Sequence, residues 1–251
     1  MNKLLEVNNL SKSYGEKQVV QKITFEISDG EILGFIGPNG AGKSTTIKML
    51  IDVEARDDGD ILFQGVKIGK EMKSFKKSIG VVPQEIAVYE DISAYENVKF
   101  FCSLYGYHGK ELKGRVKEAL EFVGLWERKG ELPTKFSGGM KRRLNIACSI
   151  AHSPKLLIMD EPTVGIDPQS RNHIMEAIKT LNSRGTTVVY VSHYMEEIEA
   201  ICDRVLIIDH GVIMEDMEKE QLKDKYKSQG CNSLEEIFLT ITGTELRDEE
   251  V

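Results

Sequence analysis

A chain of 251 residues, 41% of them hydrophobic, has enough apolar mass for one large folded domain or a large domain with a smaller lobe, and too much to stay disordered. Its formal charge of −7, from 33 basic and 40 acidic side chains, weighs against a nucleic-acid partner, although a local basic patch can survive a negative total. No run of 18 apolar residues occurs, and the opening stretch MNKLLEVNNLSKSYG has no apolar core of signal-peptide type, so neither a membrane span nor a secretory leader is expected.

In chain order, KLLEVNNL and KITFEIS alternate apolar and polar residues and predict antiparallel strands with one solvated face. EILGFIG is a continuous apolar run, the pattern of a strand buried on both faces. Residues 93–132 change to helical character. Ser93 and Glu96 have capping-box spacing, and Tyr95, Val98, Cys102 and Tyr105 share a face, so an inserted helical lobe is expected there. FSGGMKRRLNIACS predicts a further helix, with Ser137 as N-cap and Met140, Leu144, Ala147 and Ala151 along one side. KLLIMDEP, TTVVYVSH and RVLIIDHG predict three more buried, parallel strands. Past Gly211 the chain becomes charged and less strand-like, and a second capping box, Ser233 with Glu236, opens the amphipathic set Leu234, Ile237, Phe238 and Ile241. The expectation is an α/β fold with a mixed sheet, residues 1–215 forming the main domain and residues 216–251 a helical extension. The four cysteines, Cys102, Cys148, Cys202 and Cys231, are scattered without metal-ligand spacing and are expected to be reduced thiols.

Two stretches carry chemistry. Gly37-Pro38-Asn39-Gly40-Ala41-Gly42-Lys43-Ser44 fits G-x-x-x-x-G-K-[ST] and follows a predicted strand, as a phosphate loop requires; without that strand it would read as a glycine-rich turn. Its glycines let successive N–H groups wrap phosphates, Lys43 brings a charge to the β and γ oxygens, and Ser44 offers a hydroxyl to Mg²⁺. At the end of LLIMDE, Asp160 is suited to hold Mg²⁺ through water and Glu161 to orient and deprotonate an attacking water; alone, such a pair would read as a solvated strand end.

FSGGM poses a different question. Ser137, Gly138 and Gly139 leave helix N-terminal N–H groups open to an anion, although the chain already has a complete phosphate loop. Lys141, Arg142 and Arg143 crowd the same end, where the helix dipole disfavours cations, so fold stability alone would not select them and a role toward phosphate is expected.

The ordered set GPNGAGKST, VVPQE, FSGGM, LLIMDEPTVGID and VSH, within residues 4–211, resembles the ATP-binding subunit of an ABC transporter. SLEEIFLTITG near the C-terminus resembles the ending of the ABC-2, drug-exporter-like branch. The resemblance implies the ABC ATPase fold, a P-loop NTPase core with an antiparallel N-terminal region and the inserted lobe, and ATP with Mg²⁺ as ligands. Tyr14 would stack on adenine, and Gly37, Pro38, Asn39, Gly40, Ala41, Gly42, Lys43, Ser44 and Thr45 would hold the phosphates. Ser44, Gln84 and Asp160 would surround the metal, Glu161, His193 and Gln84 would serve hydrolysis, and Gln84 would also link the metal site to the membrane partner. Ser137, Gly138 and Gly139 would act on the ATP of a second subunit, with Asp167 in the loop that crosses to it. That arrangement answers the FSGGM question: the half-site is kept for a phosphate held by the other copy.

The same resemblance implies a head-to-tail dimer with an identical or related ATPase subunit, a polytopic membrane permease as partner, and a peripheral position on the cytoplasmic face of the membrane, powering export of a cargo these residues do not choose. Met140 departs from the glutamine that many members carry. Individually, Tyr14 reads as an ordinary half-buried tyrosine, His193 as a structural or exposed histidine, and Gln84 as nothing in particular; their places in the motif order change those readings. His108, His152, His173 and His210 are read as structural. The alternative is a soluble ABC ATPase acting on nucleic acid or ribosomes, but neither a second cassette nor a long coiled-coil insertion is present in this sequence. An ATP-binding regulator without turnover is disfavoured by the Asp160–Glu161 pair. Tyr89, Tyr95, Phe100, Phe101, Tyr105 and Tyr107 lie close in sequence and read equally as a groove for a short helix of a membrane subunit or as the lobe's own core.

Overall fold

A computed structural model describes residues 2–69 and 72–243. The chain runs β1 (Lys3–Tyr14), β2 (Lys17–Ser28), β3 (Ile32–Ile36), α1 (Lys43–Leu50), β4 (Asp58–Phe63), β5 (Val66–Lys67), α2 (Met72–Ser78) and β6 (Ile79–Val82). It continues through α3 (Ala94–Leu104), α4 (Gly109–Phe122), α5 (Gly138–Ile150), β7 (Leu156–Asp160), α6 (Pro168–Ser183), β8 (Thr187–Val191), α7 (Met195–Ile201), β9 (Arg204–Asp209), β10 (Val212–Glu218), α8 (Lys219–Lys227) and α9 (Leu234–Thr242). Two compact units divide it: residues up to 76 together with those from 187 onward, and residues 77–186.

In the first unit, β2-β1-β4-β5 form an antiparallel sheet. β1 and β2 pair along their length and close on the two-residue turn at Gly15 and Glu16, where Tyr14 faces Lys17. A second layer is built on β3, which pairs in parallel with β8 on one side and β9 on the other. Every residue of β3 and β8 is buried, as the continuous apolar runs require.

β10 corrects one expectation. The charged stretch after Gly211 is a strand, antiparallel to β9, and it crosses the 215/216 boundary expected from sequence. Its charges have partners. Arg204 binds both carboxylate oxygens of Asp216 at 2.6 Å and donates to the Glu26 carbonyl at 2.9 Å, and Glu215 accepts from Lys225 at 2.5 Å and from the Tyr226 hydroxyl at 2.7 Å. An edge strand can carry such residues, and its charges also discourage pairing with another chain. The helical segments α8 and α9 follow it. Ser233 caps α9 by accepting from Glu236 N–H, while the Glu236 carboxylate accepts from Asn232 N–H, one residue earlier than a capping box would place it. Residues 244–251 of the expected extension lie outside the described residues.

In the second unit β6 and β7 pair in parallel, Ile79 beside Leu156 and Val82 beside Met159. α3 opens on the complete Ser93–Glu96 capping box. Asn97, fully buried, ties down the preceding turn by donating to the Tyr89 and Ile92 carbonyls and accepting from Tyr89 N–H. Five of the six aromatics divide. Tyr89, Phe100 and Phe101 form a cluster with centroids 5.3 to 6.0 Å apart, Phe100 edge-to-face on the other two and Tyr89 stacked on Phe101. Tyr105 instead stacks on His152 at 3.5 Å, and Tyr107 lies under the Arg115 guanidinium. All four cysteines are buried free thiols. No helix among the described residues is long and apolar enough to cross a membrane.

His152 is a buried structural histidine whose Nε2 lies 2.8 Å from the Ile79 carbonyl, so its neutral form donates there. Burial lowers its pKa to about 4; the Ile79 hydrogen bond opposes that shift and the Arg115 charge adds to it. Between the unfolded value of 6.5 and about 4, the unfolded chain takes up a proton that the native chain refuses, so stability falls as pH falls through this window. Urea unfolding of the wild type should therefore lose about 2–3 kcal/mol more than His152→Gln between pH 6.5 and 4.5.

Candidate functional site

Residues 37–45 leave the end of β3 and turn into α1 in close contact with main-chain atoms of neighbouring strands. A Cβ at Gly37 would collide with the Ile208 carbonyl of β9, and one at Gly42 would stand 2.7 Å from the Val19 carbonyl of β2. Gly42 also has φ 102°, a left-handed conformation that favours glycine, and is the N-cap of α1. The loop is fastened by Gly211 N–H to the Ala41 carbonyl at 3.0 Å and by Ala41 N–H to the Pro38 carbonyl at 3.2 Å. Thr46 closes its far side, donating from its hydroxyl to the Gly42 carbonyl at 2.9 Å. Lys43 is buried at the first position of α1, its ammonium 2.7 Å from the Gly37 carbonyl and 3.0 Å from that of Pro38, inside the curl of the loop. Asn39, Gly40 and Ser44 are exposed. A backbone cradle that side chains would fill, with a cation at its centre and a hydroxyl beside it, is the donor set a magnesium-bound polyphosphate needs.

Tyr14 is exposed at the end of β1, with the Lys12 ammonium 5.3 Å from its ring centroid. His193, also in this unit, is exposed just past β8, and its neighbours on both sides are pinned. Ser192 donates to Glu197 at 3.0 Å and accepts from Tyr194 N–H at 3.0 Å, while the buried Tyr190 hydroxyl donates to the same Glu197 oxygen at 2.8 Å. Glu197 is itself buried, so it holds the His193 turn from beneath. Sequence reading missed Glu197; a carboxylate four residues past the histidine, on an apolar helix face, was the available signal.

In the second unit, Asp160 ends β7, and Gln84 Nε2 donates to Glu161 Oε2 at 3.3 Å. Glu161 has φ 45°, a conformation that costs an L-residue of this kind about 1 kcal/mol or more. Ser137 caps α5, accepting from Met140 N–H at 3.3 Å, and Ser137 and Gly138 are exposed. Asp167 caps α6, where the Ser170 N–H at 2.9 Å and the Ser170 hydroxyl hold its carboxyl below the usual range. A Cβ at Gly139 would collide with the Ser170 hydroxyl and lie 3.3 Å from Asp167 Oδ2, so the N-termini of α5 and α6 meet.

The basic flank of α5 is a second correction. Arg142 donates to the Pro83 carbonyl at 2.6 Å and to that of Gln84, Arg143 donates to the Val123 carbonyl at 2.7 Å, and Lys141 pairs with Glu90. α5 is buried around most of its circumference, so these cations carry fold contacts that offset the unfavourable dipole. Met140 Sδ, in turn, receives an Arg128 N–H at 3.1 Å.

The loop, the acidic strand end and the glycine-capped helix define an ATP-binding-cassette ATPase. Residues 20–164 match the ABC transporter family, and the chain belongs to that family. It is 54% identical over 208 residues to the linearmycin resistance ATP-binding protein LnrL of Bacillus subtilis (strain 168), covering 83% of this chain and 67% of that protein. With the Nod factor export ATP-binding protein I of Sinorhizobium fredii it shares 40% identity over 208 residues, covering 82% of this chain and 60% of that relative's length. Among solved structures, an ATP-binding subunit of an ABC transporter superposes with a TM-score of 0.85 at 28% identity, covering 95% of this chain and 99% of that one. A dimeric ATP-binding cassette in a post-hydrolysis state, bound to ADP and Pi, superposes with a TM-score of 0.77 at 25% identity, covering 85% and 98%.

Because Glu197 gathers two buried hydroxyl donors, Glu197→Ala should lower unfolding free energy by about 1–3 kcal/mol, and Glu197→Gln, which keeps an acceptor, by less. Urea denaturation of the three proteins checks this.

Proposed function

We propose that this chain is the ATP-hydrolysing subunit of an exporter, driving a cargo through a separate polytopic permease from the cytoplasmic face of the membrane. The observation that carries the reading is its 54% identity over 208 residues to a protein named for linearmycin resistance. The Nod factor relatives, named for export, point the same way.

The roles follow from the chemistry of the residues. Tyr14 offers a ring face to adenine, the loop from Gly37 to Thr45 takes the phosphates on its open backbone N–H groups, and Lys43 supports the β and γ oxygens. Ser44 and Gln84 would hold Mg²⁺ through their oxygens and Asp160 through water, and the ion would supply positive charge against the phosphates. Glu161 accepts the proton of the attacking water while the Gln84 amide, already bonded to it, restrains its orientation. His193 donates toward the γ-phosphate from the turn held by Glu197. Ser137, Gly138 and Gly139 take the γ-phosphate of a second copy, and Asp167, capping the neighbouring helix, accompanies them across the dimer. ATP closes the pair and hydrolysis reopens it.

The permease docks on the aromatic cluster of the helical lobe. Tyr89, Phe100 and Leu104 are 48%, 40% and 65% exposed, and Phe100 and Leu104 stand one turn apart on α3. Leu104→Glu should release the protein from membranes holding the permease while ATP affinity and fold stability stay at wild type. Cosedimentation with permease-containing vesicles, beside a thermal melt, checks both parts.

Sharing of the nucleotide between copies is tested with Lys43→Ala and Ser137→Arg, each expected to be inactive alone. In a shared arrangement a mixed dimer has one doubly damaged and one intact site. Equimolar mixing under exchange conditions should then restore about a quarter of wild-type ATPase activity, since half of the dimers are mixed. If both elements served the same copy's nucleotide, every site would carry a defect and the mixture would stay inactive.

A further inference from the structure

Helix α5 and strand β6 run antiparallel and are fastened to each other at three levels. At the first, their main chains touch: a Cβ on Gly80 would collide with the Ser149 carbonyl. At the second, the Ser149 hydroxyl donates to the Val81 carbonyl at 2.7 Å. At the third, two helical turns nearer the N-terminus, Arg142 donates from Nη1 to the Pro83 carbonyl at 2.6 Å and from Nη2 to the Gln84 carbonyl.

The third level has no strand ladder to help it. β6 ends at Val82, and the carbonyls of Pro83 and Gln84 lie in the loop beyond. Arg142 is 3% exposed and meets them with a planar fork whose two N–H directions are fixed relative to each other. It stands one helical turn from Gly138, at the exposed glycine end of α5. On the other side, the Gln84 side chain continues the connection to Glu161 at 3.3 Å.

We propose that Arg142 is a positioning residue for ATP hydrolysis, clamping the Gln84 backbone to α5 so that the Ser137–Gly139 end and the Gln84 amide form one rigid piece aimed at Glu161. The proposal rests on the roles given above to Gln84 and Glu161. A movement of the glycine end on meeting the second copy's nucleotide then shifts Gln84 with it, and the Gln84–Glu161 bond is made or strained accordingly. Lysine cannot replace the fork, because a single ammonium has no fixed pair of donor directions.

The test is a double-mutant cycle. Steady-state ATPase kinetics are measured for Arg142→Met and Arg142→Lys, each alone and combined with Gln84→Ala, with thermal melts as the fold control. Expected are a fall in kcat of about 10- to 100-fold for Arg142→Met with KM for ATP within about twofold, little recovery with lysine, and no further fall from either substitution once Gln84 is alanine. An equal fold-loss in both backgrounds, or a kcat restored by lysine, overturns the proposal and leaves Arg142 a packing residue. Wild-type kcat in Gln84→Ala alone overturns the reading of Gln84, and the clamp with it. If Arg142→Met does not fold, Arg142→Lys, which keeps the stem and the charge, carries the same cycle.

Discussion

The Ile208 carbonyl occupies the space that a side chain at position 37 would need, and the first unit depends on that contact. β3 and β9 are parallel, with Ile36 beside Ile207, so the chain leaving β3 passes the end of β9 at main-chain distance. Val19 does the same from β2 at Gly42. With no side chain between loop and strands, the path of residues 37–42 is set by the sheet, and so is the start of α1. The buried ammonium of Lys43 is thus delivered to the middle of the loop by backbone packing, before any charge is considered.

The second unit uses the same device at another place. Main-chain contact at Gly80 brings α5 onto β6, and little of the helix is left solvated where three successive cations could sit. Two of them turn to backbone carbonyls and the third to a carboxylate. Several N–H groups engaging carbonyl dipoles at once is a geometry that suits the guanidinium of arginine more than the single ammonium of lysine.

Local signals in the sequence were sufficient for the phosphate loop, the Ser93 box, the Ser137 cap and the four buried runs, because each is written in residues fewer than ten apart. β10 escaped because its apolar content is low; what makes it a strand is Arg204, on β9, and Lys225 and Tyr226, on α8. The short β4, β5 and α2 carried no pattern long enough to read. The partners of Arg142 lie 58 and 59 residues away and are main-chain atoms, so neither periodicity nor residue type points to them. The six aromatics were ambiguous for a related reason: which of them stack on His152 and which reach the surface is decided by α3 and α4 packing, not by their spacing. Motif order made the nucleotide-binding character legible from sequence, whereas the supports beneath it, Glu197 and Arg142, required coordinates.

The burial of the four thiols has a practical consequence. Desolvation raises the pKa of Cys102 to about 11 and pushes those of Cys148 and Cys202 up as well, so the reactive thiolate is suppressed where the reagent is also excluded. Cys102 and Cys148 lie in one compact unit, Cys202 and Cys231 in the other. Alkylation of the native chain therefore waits on local opening, and peptide mapping of the modified cysteines turns their rates into two clocks, one for the breathing of each unit.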